Sequence, residues 1–312
     1  MMLFEIALIV LPVFLLIMGG FISSYIQLLK KSLVDGLAKF FQDFGIPFLL
    51  FFNFAILDLS NAFDFRIIIS FYTSMIISFI IISCVSYFIF KQPYINSVTL
   101  GFCAMFSNGV LLGLPISELA YGSDSLYTNY TIIIGHAPLC YLVGITLIEF
   151  LKNDKKKFVL GLKNSGKAIV FNNLALGILL GIGFNFLDLS FPTKTEEILK
   201  RGTTWIIPLA LFTMGGVLYY YRIATSYMLP LAIIFTSLMV QPAIVYLLGI
   251  YSWGIEMEPL RNAIIMAAMA PGLNAYFFAN LYNNSREVVA TTILISTGLT
   301  IFTSSFWIYV LS

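Results

Sequence analysis

The chain is a series of long apolar runs separated by short polar stretches. Windows of about twenty apolar residues, the length that crosses a bilayer as a helix, mark ten segments. They fall at roughly 3–26, 37–57, 67–90, 95–121, 126–151, 168–188, 202–221, 227–251, 260–282 and 287–311. The second is the least clean, because Lys39 and Asp43 sit near its start. The longest polar connection, 152–167, carries Lys152, Lys155, Lys156, Lys157, Lys163 and Lys167 and divides the segments five and five. One run departs from the pattern. Ser107-Asn108-Gly109-Val110-Leu111-Leu112-Gly113-Leu114-Pro115 sets an amide, two glycines and a proline inside segment four. Proline removes a backbone donor and crowds the preceding turn, and glycine loosens it. Lipid supplies no replacement hydrogen bonds, so broken backbone at this depth persists only against protein or a water-filled cavity. Two readings follow: a discontinuous helix lining a substrate site, as in secondary transporters, or a kinked helix whose glycines let a neighbour approach closely.

An internal repeat bears on that choice. A constant offset of 161 carries Ile46-Pro47 and Leu50-Phe51 onto Ile207-Pro208 and Leu211-Phe212, Tyr121 onto Tyr282, and Thr131-Ile132 onto Thr292-Ile293. Five segments per copy is an odd number, so the copies would lie in the membrane with opposite orientation, as two inverted five-helix repeats. Segment four then has segment nine as its counterpart, and segment nine is interrupted too, at Ala270-Pro271-Gly272-Leu273-Asn274. Paired Pro/Gly interruptions in corresponding segments are a pointer to a transport site.

Composition agrees with a multi-spanning membrane protein. Hydrophobic residues make up 60% of 312, charged residues 10%, and the mean hydropathy is +0.95, against about 25% charged in soluble domains. A net charge of +2 gives no reason to expect a nucleic-acid partner. Cys84, Cys103 and Cys140 lie in apolar segments without CxxC spacing and read as small core residues. Met1-Met2-Leu3-Phe4-Glu5 lacks a basic n-region, so segment one reads as a retained helix rather than a signal peptide. Lysine and arginine set the orientation. With the N-terminus outside, inside connections hold twelve of the seventeen and outside connections five. Both termini are therefore expected outside, with the 152–167 loop in the cytoplasm. Abundant Ile, Phe, Asn and Lys hint at a bacterial source, hence its cytoplasmic membrane.

Each break leaves a half-helix N-terminus with unpaired N–H groups and partial positive charge, which binds anions without a lysine or arginine. Asn108, Gly109, Gly113 and Pro115 on one arm, and Pro271, Gly272 and Asn274 on the other, are the candidate substrate-binding residues. The amides of Asn108 and Asn274 add donors and acceptors. No fixed charge lies near either break, which suits a small organic anion better than a cation. His136 in Gly135-His136-Ala137-Pro138 is either a proton carrier or a neutral histidine bonding across the bundle. Glu118 would meet water at the outer mouth, Glu149 would pair beside the lysine loop, and Asn172-Asn173 would cap segment six. No metal or cofactor is expected.

These residues resemble the auxin efflux carrier family, which includes plant auxin exporters and bacterial malate and malonate carriers, over essentially the whole chain. Leu11-Pro12-Val13-Phe14 with Gly19-Gly20 is similar to the family's opening segment, and Ile46-Pro47 to its second-segment proline. Asn108–Gly122, as Asn-x-x-x-x-Gly-x-Pro followed by Tyr-Gly, is the most specific match. Pro271, Asn274 and Ala279 resemble the second break. The resemblance implies an all-α fold like the bile acid:sodium symporters, with broken helices four and nine crossing at the substrate. Residues 1–151 would form the first repeat and 168–312 the second. Segments 1, 2, 6 and 7 would make a scaffold that commonly dimerises, and segments 3–5 and 8–10 a mobile transport domain. Asn108 would bind substrate carboxylate, and His136 falls where plant members carry an amide. Segment three lacks the charged cluster of plant members, Asn172-Asn173 replaces an Asn-Pro, and segment nine has one proline where they have two. These departures favour the bacterial organic-acid branch.

The expectation is a secondary transporter moving a malate- or malonate-type anion by alternating access, with protons or sodium as candidate coupling ions and membrane lipid around it. A sodium-coupled bile acid-like symporter and an auxin-like aromatic acid efflux carrier are the alternatives. An enzyme is not expected, since HExxH, paired membrane aspartates and Gly-x-Ser-x-Gly are all missing. A sensor built on a transporter fold is disfavoured, because no soluble domain is appended.

Overall fold

A computed structural model describes residues 3–57, 64–152 and 173–312. Every regular element among them is a helix. In chain order these are α1 (Leu3–Tyr25), α2 (Lys31–Phe40), α3 (Ile46–Ile56), α4 (Phe65–Cys84), α5 (Tyr94–Met105), α6 (Leu114–Tyr121), α7 (Tyr127–Leu151) and α8 (Asn173–Phe186). There follow α9 (Thr193–Thr204), α10 (Ile206–Tyr219), α11 (Met228–Phe235), α12 (Gln241–Leu247), α13 (Met257–Ala267), α14 (Leu273–Leu281) and α15 (Arg286–Val310). Among the described residues, seven helical stretches are long and apolar enough to cross a membrane.

Several helices join end to end through π-helical turns, and proline explains three of them. Phe41–Gly45, Gly109–Gly113 and Thr236–Val240 each lie just before a proline: Pro47, Pro115 and Pro242. A proline has no N–H for the usual bond and crowds the carbonyl four residues back. Widening the preceding turn relieves both, at the cost of a local bend.

The structure starts segments two and seven earlier than the hydropathy windows do, at Lys31 and Thr193. Each opens with a polar helix, α2 or α9, and continues as an apolar one, α3 or α10. Lys31, Asp35 and Lys39 in α2, and Lys194, Glu196, Glu197, Lys200 and Arg201 in α9, lower the window average below threshold although the backbone is helical. Of the cysteines read as core, Cys103 and Cys140 are buried but Cys84 is exposed. The 152–167 loop, except Lys152, lies outside the described residues, as does Asn172.

The chain divides into two compact units. The smaller holds the described residues of Pro12–Ala62 and Lys167–Tyr220. Small residues let its backbones touch, the usual device where lipid removes the hydrophobic drive between helices. A Cβ at Gly177 of α8 would strike the Pro47 carbonyl of α3, and one at Gly215 of α10 the Ile17 carbonyl of α1. Asn185 Nδ2 donates to the carbonyls of Phe54, Ala55 and Leu57 at 3.1, 3.2 and 2.7 Å, satisfying the end of α3. The larger unit holds the described residues of Met1–Leu11, Phe63–Gly166 and Tyr221–Ser312. Phe71, Met75, Phe102 and Phe278 are fully buried in its core, and Trp307 Nε1 donates to the Leu238 carbonyl at 2.9 Å. Both interrupted segments belong to this unit.

Candidate functional site

Segment four stops at Met105 and resumes at Gly109; segment nine stops at Ala267 and resumes at Leu273. Both breaks leave buried backbone groups that need partners, and each supplies the other's. Asn108 N–H donates to the Ala270 carbonyl at 2.8 Å, and Gly272 N–H to the Phe106 carbonyl at 2.9 Å. Ser107 and Pro271 face each other between these bonds as an antiparallel pair. The pair is of the kind whose own N–H groups take no part in the ladder, so the missing donor of Pro271 costs nothing there.

The second arms begin at this crossing. Asn108 caps the first: its Oδ1 accepts from Leu111 N–H at 3.4 Å. Asn274 is the second residue of α14, in a first turn where the Ala275 N–H meets the Gly272 carbonyl at 3.0 Å. Its Oδ1 accepts from the Tyr141 hydroxyl at 3.5 Å. The two amides thus sit at different helix positions, and the offset of 161 carries Asn108 onto Met269, not Asn274. Gly109 and Gly113 face Met266 of α13: a Cβ on either would lie 2.5 Å from its Cε or Sδ. These glycines let segment nine approach, and Pro115 places the π-helical turn between them.

Helix α7 braces both breaks. His136 is buried, and its Nε2 lies 3.2 Å from the Ser107 carbonyl. A neutral ring making this bond carries its proton on Nε2. The Phe106 ring lies 4.9 Å from His136 and 6.1 Å from Tyr141. Phe102 and Phe278 stack at 3.8 Å between centroids. Tyr141 and Phe106 were not among the sequence candidates; a tyrosine hydroxyl in an apolar run five residues after His136 was the available signal. No charged residue occurs between Lys91 and Glu118 or between Arg261 and Arg286. The crossing therefore offers backbone and amide donors without fixed charge. Among the described residues no group of three His, Cys, Asp or Glu could hold a metal.

Charges gather at the far ends of the broken segments. Glu118 is exposed. The Arg261 guanidinium lies 4.2 Å above the Tyr121 ring and 3.9 Å from Glu258. Lys152 pairs with Glu149 at 3.0 Å and sits 4.7 Å above the Tyr282 ring. Tyr121 and Tyr282, related by the repeat offset, each lie under a paired cation. Asn173 Nδ2 donates to Asp43 Oδ1 at 3.4 Å.

A membrane transport protein family model matches residues 6–308, which include both breaks and α7. The chain belongs to this family, the auxin efflux carriers. It is 23% identical over 318 residues to a protein of Rhizobium meliloti (strain 1021) named "Putative malonate transporter", covering 98% of this chain and 96% of that one. It is 26% identical over 311 residues to the "Lysosomal cholesterol signaling protein" of Mus musculus, covering 92% of this chain. The match covers 35% of that mouse protein's length. As a member of the auxin efflux carrier family, the chain is a multi-pass membrane transport protein.

Proposed function

We propose that the chain is a secondary active transporter for a small organic anion of the malonate or malate class, working by alternating access in a bacterial cytoplasmic membrane. The observation that carries this is the crossing itself: two broken segments bonded to each other, with amides and first-turn N–H groups beside them and no charge within reach. Such a site stabilises a carboxylate through oriented dipoles. The malonate assignment draws on the rhizobial relative's name.

Ten segments in two inverted repeats are supported by more than the offset. Segments two and seven share a polar-then-apolar build, and segments four and nine share a break. The two compact units support a scaffold made of segments 1, 2, 6 and 7 and a moving body made of segments 3–5 and 8–10, except that segment one up to Leu11 groups with the larger unit; the scaffold would be the dimerising part. The test is uptake of malonate and malate by proteoliposomes, compared with Asn108→Ala/Asn274→Ala. Undiminished affinity in the double variant would falsify the site. Proton coupling would run through His136, and His136→Gln should then flatten the pH profile of uptake; an unchanged profile removes that role. Imposed sodium gradients test the other ion.

One observation favours a second reading. Phe102, Phe106, Tyr141 and Phe278 gather beside Asn274, as would suit an aromatic acid. Indole-3-acetate displacing malonate would select it.

A further inference from the structure

We infer that Tyr141 sets the ligand class of the crossing by fixing which way the Asn274 amide faces; the inference rests on the carboxylate reading above. An asparagine side chain offers an acceptor on one atom and two donors on the other. Turned one way it receives a carboxylate, and turned the other it receives a ligand N–H. The Tyr141 hydroxyl donates to Asn274 Oδ1 at 3.5 Å, and among the described residues this is the hydroxyl's only hydrogen-bond partner. Tyr141 is half-buried, its ring packed among aromatic side chains and its hydroxyl turned to this partner. With Oδ1 engaged, Nδ2 is the face left to a ligand.

The phenol is held for this task. Its ring centroid lies 5.4 Å from that of Phe102, 6.1 Å from Phe106 and 6.2 Å from Phe278. One turn earlier on α7, His136 holds the Ser107 carbonyl of the opposite arm. The helix that braces the first break therefore also orients the amide of the second. Tyr141 acts through Asn274, so it is a positioning residue. A site whose amide is fixed as a donor is matched by either oxygen of a carboxylate, whereas a primary amide fits only with its carbonyl turned towards Nδ2, since in the other orientation two donors face each other.

The experiment compares malonate with malonamide, its neutral diamide, in a binding assay on purified wild-type protein and on Tyr141→Phe. The phenylalanine keeps the ring and its packing, and a thermal melt confirms folding. The wild type should prefer malonate strongly. In Tyr141→Phe, loss of the orienting bond should weaken malonate roughly five- to tenfold and leave malonamide unchanged or tighter, so the ratio falls by about tenfold. A structural role would weaken both ligands together. A double-mutant cycle with Asn274→Ala gives a second reading: the effects on the ratio should be strongly non-additive. If wild type prefers malonate and Tyr141→Phe keeps that ratio, the inference is overturned and the carboxylate reading stands. If wild type does not distinguish the two ligands, the carboxylate reading fails and takes the inference with it.

Discussion

Asn108 donates its backbone N–H to the Ala270 carbonyl at 2.8 Å, and through that bond each interrupted segment repairs the other. A break at this depth leaves polar backbone that lipid cannot satisfy. Two breaks set against each other satisfy both. The interruptions are thus a joint feature of segments four and nine, and a substitution in one arm is felt in the other.

Asn108 has two tasks that substitutions can separate. Its side-chain oxygen caps the second arm, and under the proposed function its amide also binds the substrate. Asn108→Ala should lower stability by about 1 kcal/mol and abolish measurable malonate binding. Asn108→Ser retains a capping oxygen but no amide donor. It should melt close to wild type and bind malonate at least roughly tenfold more weakly, a loss of about 1.4 kcal/mol. Thermal melts and isothermal titration read the two effects apart; normal binding by the serine variant would confine Asn108 to capping.

His136 braces the first break through the Ser107 carbonyl. His136→Phe fills similar space but withdraws the donor, leaving that carbonyl with only the Gly109 N–H at 2.9 Å. The expected cost is about 0.5–1.5 kcal/mol, seen as a lowered melting temperature in detergent. Glutamine can still donate, so His136→Gln should recover most of the loss. Equal melts for the two variants would mean that the bond contributes nothing.

The breaks were legible because proline, glycine and asparagine at Asn108–Pro115 and Pro271–Asn274 contradict an uninterrupted membrane helix. The seven long apolar spans among the described residues were legible from hydropathy, apart from the polar halves α2 and α9, whose charges mask their helicity. The pairing of the two breaks was expected from the repeat and the family resemblance, but the bonds between them were not legible, because they are backbone bonds that residue identity does not encode. Nor was the inequivalence of the two amides. The offset of 161 holds at Pro47/Pro208 and Tyr121/Tyr282 and fails inside the break, where segment nine spends more residues before its second arm starts. Tyr141 stayed hidden because its one signal, a hydroxyl five residues after His136, does not set it apart among seventeen tyrosines.

Gly215 tests the smaller unit separately from the site. A side chain there would meet the Ile17 carbonyl, backbone that cannot step aside. Gly215→Leu should cost at least about 3 kcal/mol and give aggregated protein by size-exclusion chromatography, whereas Gly202→Ala, with open space around it, should elute as wild type. A monodisperse, fully stable Gly215→Leu protein would contradict the close helix contact.

Asp64 gives a pH-dependent prediction outside the membrane. Its carboxylate accepts from Arg66 N–H at 2.9 Å and pairs with the guanidinium at 2.7 Å. The Arg66 side chain holds the Asp64 pKa below its ordinary value. A depressed folded pKa means stabilisation present at neutral pH, above the unfolded value of about 4, and lost as pH falls through the folded value. Asp64→Ala should therefore lower the melting temperature modestly at pH 7, by about 1 kcal/mol of lost capping. The gap to wild type should narrow below about pH 4. A gap that is constant with pH would rule out the ionised cap.

The pairing of Ser107 with Pro271 also fixes how the arms can be aligned. In an antiparallel ladder, bonded and non-bonded positions alternate. A slip of one residue would carry Pro271 into a bonded position, where it has no N–H to give. The join has a single register, closed to adjustment by small steps. Losing one residue from either break should thus be more damaging than replacing any of them. The crossing can travel as one piece or come apart, but it cannot slide.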